Sequence, residues 1–217
     1  VIHAGVISEP LRDWLERNPA YPFVSFEEPW KYCVRTDFET GVRKAVQYLA
    51  ATGHRRIGLF CGPAQFDLSK QIEAGFREGC KEFGREIRPE LLRRHSLAVG
   101  RDHFLECAQH VREFFSGPVK PDAIIAPGQG FCTVALYELP RLGVRVPEDV
   151  SLIGACSGWE AERVYPQLTS IERNIEQLVA NAMKMLRQLT RGIAPENPNQ
   201  LIPADLVVRD TVVSRFQ

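Results

Sequence analysis

The sequence predicts an α/β fold in which helices cover parallel β-sheets. Strand-like and helix-like segments alternate along the 217 residues, and this alternation is typical of parallel sheets with helices on their faces. The segment 56–61 also carries an almost continuous apolar run, as expected for a strand that is buried on both faces of its sheet.

The spacing of apolar residues predicts the individual elements. Within 68–83, for example, Ile72, Phe76 and Cys80 recur at helical spacing, and Gly84 follows as a stop. Strands are predicted at 1–8, 23–26, 56–61, 123–126 and, as an extended stretch, 201–208. Further helices are predicted at 11–17, 102–115, 131–142 and 174–189.

The segment 34–58 predicts a complete β-α-β unit. Asp37 is a suitable N-cap, because its carboxylate can accept from the free amides of a first helical turn. The apolar residues that follow share one helix face, and Gly53 stands where a helix commonly ends in a left-handed residue. A helix between Asp37 and Gly53 is therefore expected to pack against a parallel sheet.

Composition argues against several functions. The chain has 27 basic and 27 acidic residues, whereas a domain that binds nucleic acid by itself usually has a basic excess. No apolar run reaches membrane-spanning length and no signal peptide is visible, which favours a cytoplasmic protein without membrane contact. The basic run Arg93-Arg94-His95 is expected to be a solvated face.

The cysteines and histidines predict neither catalysis nor metal binding. Six cysteines are present without a CxxC pair, so at least five of them are interpreted as reduced structural residues, and the clustered spacing of a zinc site is not seen. No histidine has an obvious nucleophile partner, and a local structural role is expected for His54. The Gly128-Gln-Gly130 pattern is too short to indicate a phosphate cradle, and no cofactor is expected.

Several further motifs follow in order along the chain. They are Gly62-Pro63 with Ala74-Gly75-Phe76, then the segments 121–126, 143–154 (GVRVPEDVSLIG), 166–171 (PQLTSI) and 201–211 (LIPADLVVRDT). Together with 34–58, which contains Gly-His-Arg-Arg-Ile, this ordered set resembles the lac-repressor/galactose-repressor family of bacterial transcription regulators. The resemblance covers nearly the whole chain.

The resemblance implies two doubly wound parallel-sheet lobes of the periplasmic-binding-protein type (class I), with ligand held between them. One lobe would comprise residues 1–54 with 172–193, and the other 55–171 with 194–217. The first lobe would be incomplete at its N-terminus, since family members carry a further βαβ unit upstream. A DNA-reading helix-turn-helix would precede that unit, and operator DNA would be bound only through it.

The resemblance also implies where ligand contacts lie. Glu27 occupies an acidic position after the second strand, but Ile72, Pro127, Gly128 and Cys156 stand where the family has polar or charged residues. The pocket is therefore expected to be altered, so that an ordinary monosaccharide binds weakly or not at all.

Six residues near these positions are the candidates for ligand binding: Glu27, Glu28, Trp30, Gln129, Trp159 and Arg173. Carboxylate and guanidinium groups can each fix two hydrogen bonds, and aromatic faces can stack on a ligand. Ordinary structural roles remain open for four of them, because the two tryptophans can be packing residues, Glu28 can be solvated and Arg173 can pair with a nearby carboxylate.

The resemblance, together with these observations, implies a non-enzymatic effector-sensing and dimerisation domain of a bacterial transcription regulator of carbohydrate metabolism. Its effector would be a sugar or sugar derivative, and it would assemble as a homodimer. Two alternatives stay open. One is a transporter-type solute-binding protein, and the other is a regulator domain that has lost ligand binding.

Overall fold

A computed structural model describes residues 1–96 and 102–216, and these fall into two compact units. The first unit comprises Val1–Asp37 and Arg173–Pro203. The second unit comprises Phe38–Glu172 and Ala204–Gln217. Each unit contains its own sheet.

The described residues form ten strands and seven α-helices. The strands are β1 (Ile2–Ala4), β2 (Val24–Phe26), β3 (Cys33–Asp37), β4 (Ile57–Cys61), β5 (Leu92–Arg94), β6 (Ala123–Pro127), β7 (Ser151–Cys156), β8 (Thr169–Glu172), β9 (Asn199–Pro203) and β10 (Asp205–Val207). The helices are α1 (Glu9–Arg17), α2 (Phe38–Ala51), α3 (Asp67–Glu82), α4 (His103–Ser116), α5 (Gln129–Arg141), α6 (Gly158–Ala161) and α7 (Ile175–Thr190).

The first unit is built on a four-stranded parallel sheet in the order β1-β2-β3-β9. Val24 and Val34 from its central strands are fully buried against Leu178, Ala182 and Met185 of α7. The helix predicted at 174–189 thus packs on the sheet through part of its apolar residues, while Ile175 and Val179 are exposed. Asn174 caps the helix by accepting from the Gln177 amide at 3.0 Å.

The second unit is a doubly wound six-stranded sheet in the order β10-β8-β7-β6-β4-β5, parallel except for β10. Helices α2 and α3 pack with Leu59 and Ile125 on one face. Helices α4 and α5 pack with Phe60 and Ile124 on the other face. Neighbouring residues of β4 therefore enter cores on opposite faces of the sheet. This explains the almost continuous apolar run in segment 56–61.

The compact units divide at other residues than the lobes implied by the family resemblance. Residues 38–54, expected in the first lobe, lie in the second unit, because α2 packs against α3 and the second sheet. Residues 194–203, expected in the second lobe, lie in the first unit, because β9 pairs with β3. Packing of the helix, rather than the sequence motif that contains it, sets this boundary.

Most predicted elements are confirmed within a few residues, and the differences have local causes. Gly53 has the left-handed φ of 88° expected after α2, and Asp102 caps α4 by accepting from the amides of Phe104 and Leu105. The predicted strand at 1–8 is confined to β1, with Gly5 at a φ of 105° just beyond it. The short elements β5 and α6 were not predicted, because three or four residues carry too little periodicity.

None of the helices in the described ranges is long and apolar enough to cross a membrane.

Candidate functional site

The first unit gathers polar side chains at the carboxyl ends of its parallel strands, the edge where ligands of open α/β sheets commonly bind. Glu27 directly follows β2 and adopts a φ of 66°, which is uncommon for a residue with a side chain. Its amide donates to the Val34 carbonyl at 3.0 Å. The backbone thus turns at this point while it stays attached to the neighbouring strand.

Glu27, Thr36 and Arg173 form one polar cluster. The Glu27 carboxylate accepts from the Thr36 amide at 2.8 Å and from the Thr36 hydroxyl at 2.5 Å. The Arg173 Nε atom lies 3.8 Å from Glu27 Oε1. The side chains of Glu27 and Arg173 are 21% and 31% exposed, so both remain within reach of a small molecule.

The other two candidates of the first unit are placed differently. Glu28 follows Glu27 and is half-buried. Trp30 packs edge-to-face on Phe23 at 6.4 Å, with the Arg12 guanidinium 5.0 Å from its ring centre. It borders a cavity of about 250 Å³ whose lining residues precede β2 and β3. Trp30 therefore lies toward the amino ends of these strands, away from Glu27, in the packing role that the sequence left open.

In the second unit, Trp159 lies on the short helix α6 after β7. Its side chain is 58% exposed, and the Arg163 guanidinium lies 5.0 Å from its ring centre. Glu160, beside it, caps the same helix by accepting from the Ser157 amide at 2.8 Å. Gln129 begins α5 at the carboxyl end of β6, and its side chain lies outside the described part of the chain.

Two positions where the family was expected to be polar are buried here. Ile72 is 1% exposed in the core between α2, α3 and the second sheet. Cys156 is 3% exposed, and burial raises the pKa of its thiol to about 11. The thiol is therefore protonated near neutral pH and is a poor nucleophile.

The buried histidine of the Gly-His turn has a structural role, as predicted. His54 Nε2 lies 2.8 Å from the Ser151 hydroxyl, and His54 Nδ1 lies 3.1 Å from the Leu49 carbonyl oxygen. Burial lowers the pKa of His54, so the imidazole stays neutral near neutral pH. All six cysteines are free and buried, in agreement with the sequence interpretation.

The interpretation of Arg93-Arg94-His95 as a solvated face is wrong. Arg94 pairs with Glu73 on α3, and Arg93 Nε lies 3.5 Å from Glu113 on α4. His95 is 5% exposed. Strand β5 places this run between two helices, and sequence reasoning did not predict that strand.

The structure also brings together residues that sequence reasoning separated. Ligand atoms of His95, His103 and Cys107 lie within 4.8 Å of one another. The expectation that no metal-type cluster exists was based on sequence spacing, and only the pair His103 and Cys107, four residues apart on one helix face, could have signalled it. His95 joins the pair through the tertiary fold.

Two units with mainly parallel sheets, one of them doubly wound, place the chain in the α/β class of proteins. The family described as periplasmic binding protein-like domain matches residues 46–212. The chain therefore belongs to this family.

Proteins that are similar in sequence to this chain are transcription regulators. The HTH-type transcriptional regulator CelR of Thermobifida fusca is 28% identical over 171 residues, covering 79% of this chain and 49% of that protein. The repressor CytR of Escherichia coli K12 is 26% identical over 176 residues, covering 81% and 50%. A solved CelR–cellobiose complex has a TM-score of 0.84 and 26% identity, over 97% of this chain and 65% of that one. The chain spans about half the length of the curated relatives it matches.

Proposed function

We propose that this chain is the effector-sensing and dimerising part of a cytoplasmic bacterial transcription regulator of carbohydrate metabolism. Family membership supports the regulatory role, and both named relatives are HTH-type regulators. Operator DNA would be bound through a helix-turn-helix upstream of these residues, since their formal net charge is zero. The role requires no catalytic residue and no cofactor.

The observation that carries the proposal is the cluster of Glu27, Thr36 and Arg173. A carboxylate offers about four lone-pair sites, and Thr36 uses two of those on Glu27. Glu27 thus keeps acceptor capacity for ligand hydroxyl groups, while Arg173 supplies donors close by. Such charged hydrogen bonds, held by the fold before ligand arrives, suit a sugar or sugar derivative.

We further propose an altered specificity. Glu28, Gln129 and Trp159 remain candidate contacts in addition to Glu27 and Arg173, and Trp159 offers an exposed aromatic face. Trp30, which packs on Phe23 toward the amino ends of the strands, is left out of the proposed contacts. The buried apolar side chains of Ile72 and Cys156 supply no charged hydrogen bond to a sugar. The loss of two such bonds would lower the affinity for a common hexose by about a hundredfold or more.

Ligand would regulate the protein by favouring one of two conformations. A ligand shifts such an equilibrium only through its difference in affinity for the two states. Glu27, which follows β2, and Arg173, which precedes α7, lie in the same compact unit. The cluster would therefore supply affinity in both states, and the difference in affinity would come from further contacts.

Calorimetry on the full-length protein tests the site. Cellobiose, common hexoses, sugar acids and nucleobases are titrated into wild type and into the variants Glu27→Gln and Arg173→Gln. We expect each variant to bind the identified ligand about 10- to 150-fold more weakly, which is equivalent to the loss of one charged hydrogen bond. Glu196→Gln, an exposed carboxylate in the same unit, is the matched control and should bind as wild type does.

Three outcomes would contradict the proposal in different ways. Micromolar binding of a common hexose by wild type, unchanged in both site variants, would refute the altered specificity and the site. Operator binding with no ligand among all classes would favour a regulator domain without effector. A secreted full-length protein would favour the solute-binding alternative.

A further inference from the structure

A compact group of nitrogen and sulfur ligands lies in the second unit, beside the start of α5. A Cβ atom built at Gly130, the residue after the candidate Gln129, would lie 2.9 Å from His103 Nε2. His95 directly follows β5, and His103 is the first residue of α4. Cys107 lies one turn further along α4, on the same helix face. The group therefore joins the end of an edge strand to the beginning of a helix.

The ligand atoms of the group lie within 4.8 Å of one another. His103 Nδ1 lies 2.7 Å from His95 Nε2, a hydrogen-bond distance, and His103 Nε2 lies 3.9 Å from Cys107 Sγ. Ligand atoms on a tetrahedral zinc ion are separated by about 3.3–3.6 Å, given bond lengths of roughly 2.0–2.3 Å. One ion would take only one ring nitrogen of His103, so this exposed ring would turn and exchange its hydrogen bond to His95 for a bond to the ion.

A buried carboxylate lies beside the group, and a positive charge nearby would stabilise it. Glu106 is 8% exposed, and its Oε2 atom makes no hydrogen bond within the described residues although it lies 3.3 Å from His95 Nε2. Its Oε1 atom accepts from the Ser96 amide at 2.8 Å. Buried polar atoms normally have a partner. Oε2 lies beside the same His95 nitrogen that contacts His103, so the carboxylate would add negative charge next to a bound cation.

We propose that His95, His103 and Cys107 bind a divalent cation of the zinc class, with Glu106 supplying negative charge beside it. Two imidazoles and a thiolate, which a coordinating cation generates from the thiol, match the preference of zinc and related first-row metals, whereas calcium and magnesium prefer oxygen ligands. A fourth position would be left for water. The cation would be a ligand of a different chemical class from the proposed sugar effector.

Cobalt(II) is the probe, because a cobalt–thiolate bond produces a charge-transfer absorption in the near ultraviolet. The untagged full-length protein is stripped with a chelator and titrated with cobalt. We expect the band to saturate at one cobalt per chain and to disappear when zinc is added.

Cys107→Ser should abolish the band. Cys80→Ser is the matched control. Cys80 is also a buried cysteine on a helix of this unit, and burial raises the pKa of its thiol to about 11. This control should titrate as wild type does. His103→Gln changes an exposed side chain, so folding should be retained, and cobalt affinity should fall at least tenfold, the lower end of what even outer partners of a metal site contribute.

A wild-type protein without the band, or a band that survives in Cys107→Ser, would overturn the proposal. If Cys107→Ser does not fold, unchanged cobalt affinity in His103→Gln would overturn it equally. The spectroscopic readout involves neither sugar nor DNA, so its failure is separate from failure of the proposed regulatory function.

Discussion

At the scale of single residues, His54 connects three parts of the second unit. It contacts the carbonyl of Leu49 at the end of α2 and the hydroxyl of Ser151 at the start of β7. Arg215 near the C-terminus lies 3.3 Å from its Nε2 atom. All of these contacts are made by a side chain with no exposed surface, so its charge state bears on stability.

The His54 contacts predict a dependence of stability on pH. Burial lowers the pKa of His54 in the folded protein, so the unfolded chain takes up the proton first as the pH falls. The free energy of unfolding should therefore decrease as pH falls below about 6.5. His54→Gln should make this decrease shallower, by up to about 1.4 kcal/mol per pH unit.

Urea unfolding between pH 5 and 8.5 measures this effect. The residual slope in His54→Gln would come partly from His95, whose pKa burial also lowers. Above pH 7 the two proteins should give parallel curves, with the variant lower by about 1–3 kcal/mol because Ser151 loses a buried partner. Identical slopes between pH 5 and 6.5 would contradict the assignment.

At the scale of elements, one close helix crossing organises one face of the second sheet. A Cβ atom at Gly75 of α3 would lie 2.1 Å from the carbonyl oxygen of Glu39 on α2. Only glycine permits this approach of helix to backbone. Gly75 lies in one of the ordered family motifs, and the close crossing explains why glycine is present at this position.

This crossing predicts opposite effects for two glycine substitutions. Gly75→Ala should destabilise by about 1–3 kcal/mol, because the clash is with backbone and outweighs the gain in helix propensity of up to about 1 kcal/mol. Gly117→Ala is the control, since a Cβ there meets nothing within 4 Å and its φ is −84°. It should stabilise by about 0.4–1 kcal/mol. Equal free energies of unfolding for the two variants would show that the crossing is not tightly packed.

At the scale of the whole molecule, assembly is the open property. Tyr165 is 93% exposed and Tyr137 is 62% exposed, and both border one shallow depression with Thr133, Leu136 and Val164. Exposed aromatic residues grouped in this way are common at protein interfaces. The two tyrosines are among the residues of this depression, which adjoins segment 166–169. The family resemblance suggests that the dimer contact lies near this segment.

We expect the full-length protein to be a two-fold dimer that buries on the order of 1,600 Å² or more. The double variant Tyr137→Asp/Tyr165→Asp should raise the dimer dissociation constant at least about tenfold, because aromatic residues at an interface centre carry much of its binding energy. Sedimentation velocity over a range of concentrations measures it. Leu105→Asp, an exposed apolar residue on α4 of the same unit, is the control.

Two results would count against this assembly. A monomer at every concentration would exclude the dimer. A dimer unaffected by the double variant would exclude this face as its interface.

The sequence by itself determined the properties that depend on local pattern. Alternating segments predicted helices on parallel sheets, and Gly53 and Asp102 marked helix ends, because capping and periodicity involve residues only a few positions apart. The ordered motifs identified the family for the same reason, since each motif is a short contiguous string.

Tertiary structure alone decided which distant residues meet. Strand pairing carries His95 to the start of α4, the positive φ of Glu27 turns it toward Thr36, and α2 joins the second unit by packing on α3. Such contacts join residues that are far apart in the chain, and they depend on how strands pair and helices pack. Spacing in the sequence does not contain that information, and so the metal-type cluster and the unit boundary became visible only in the fold.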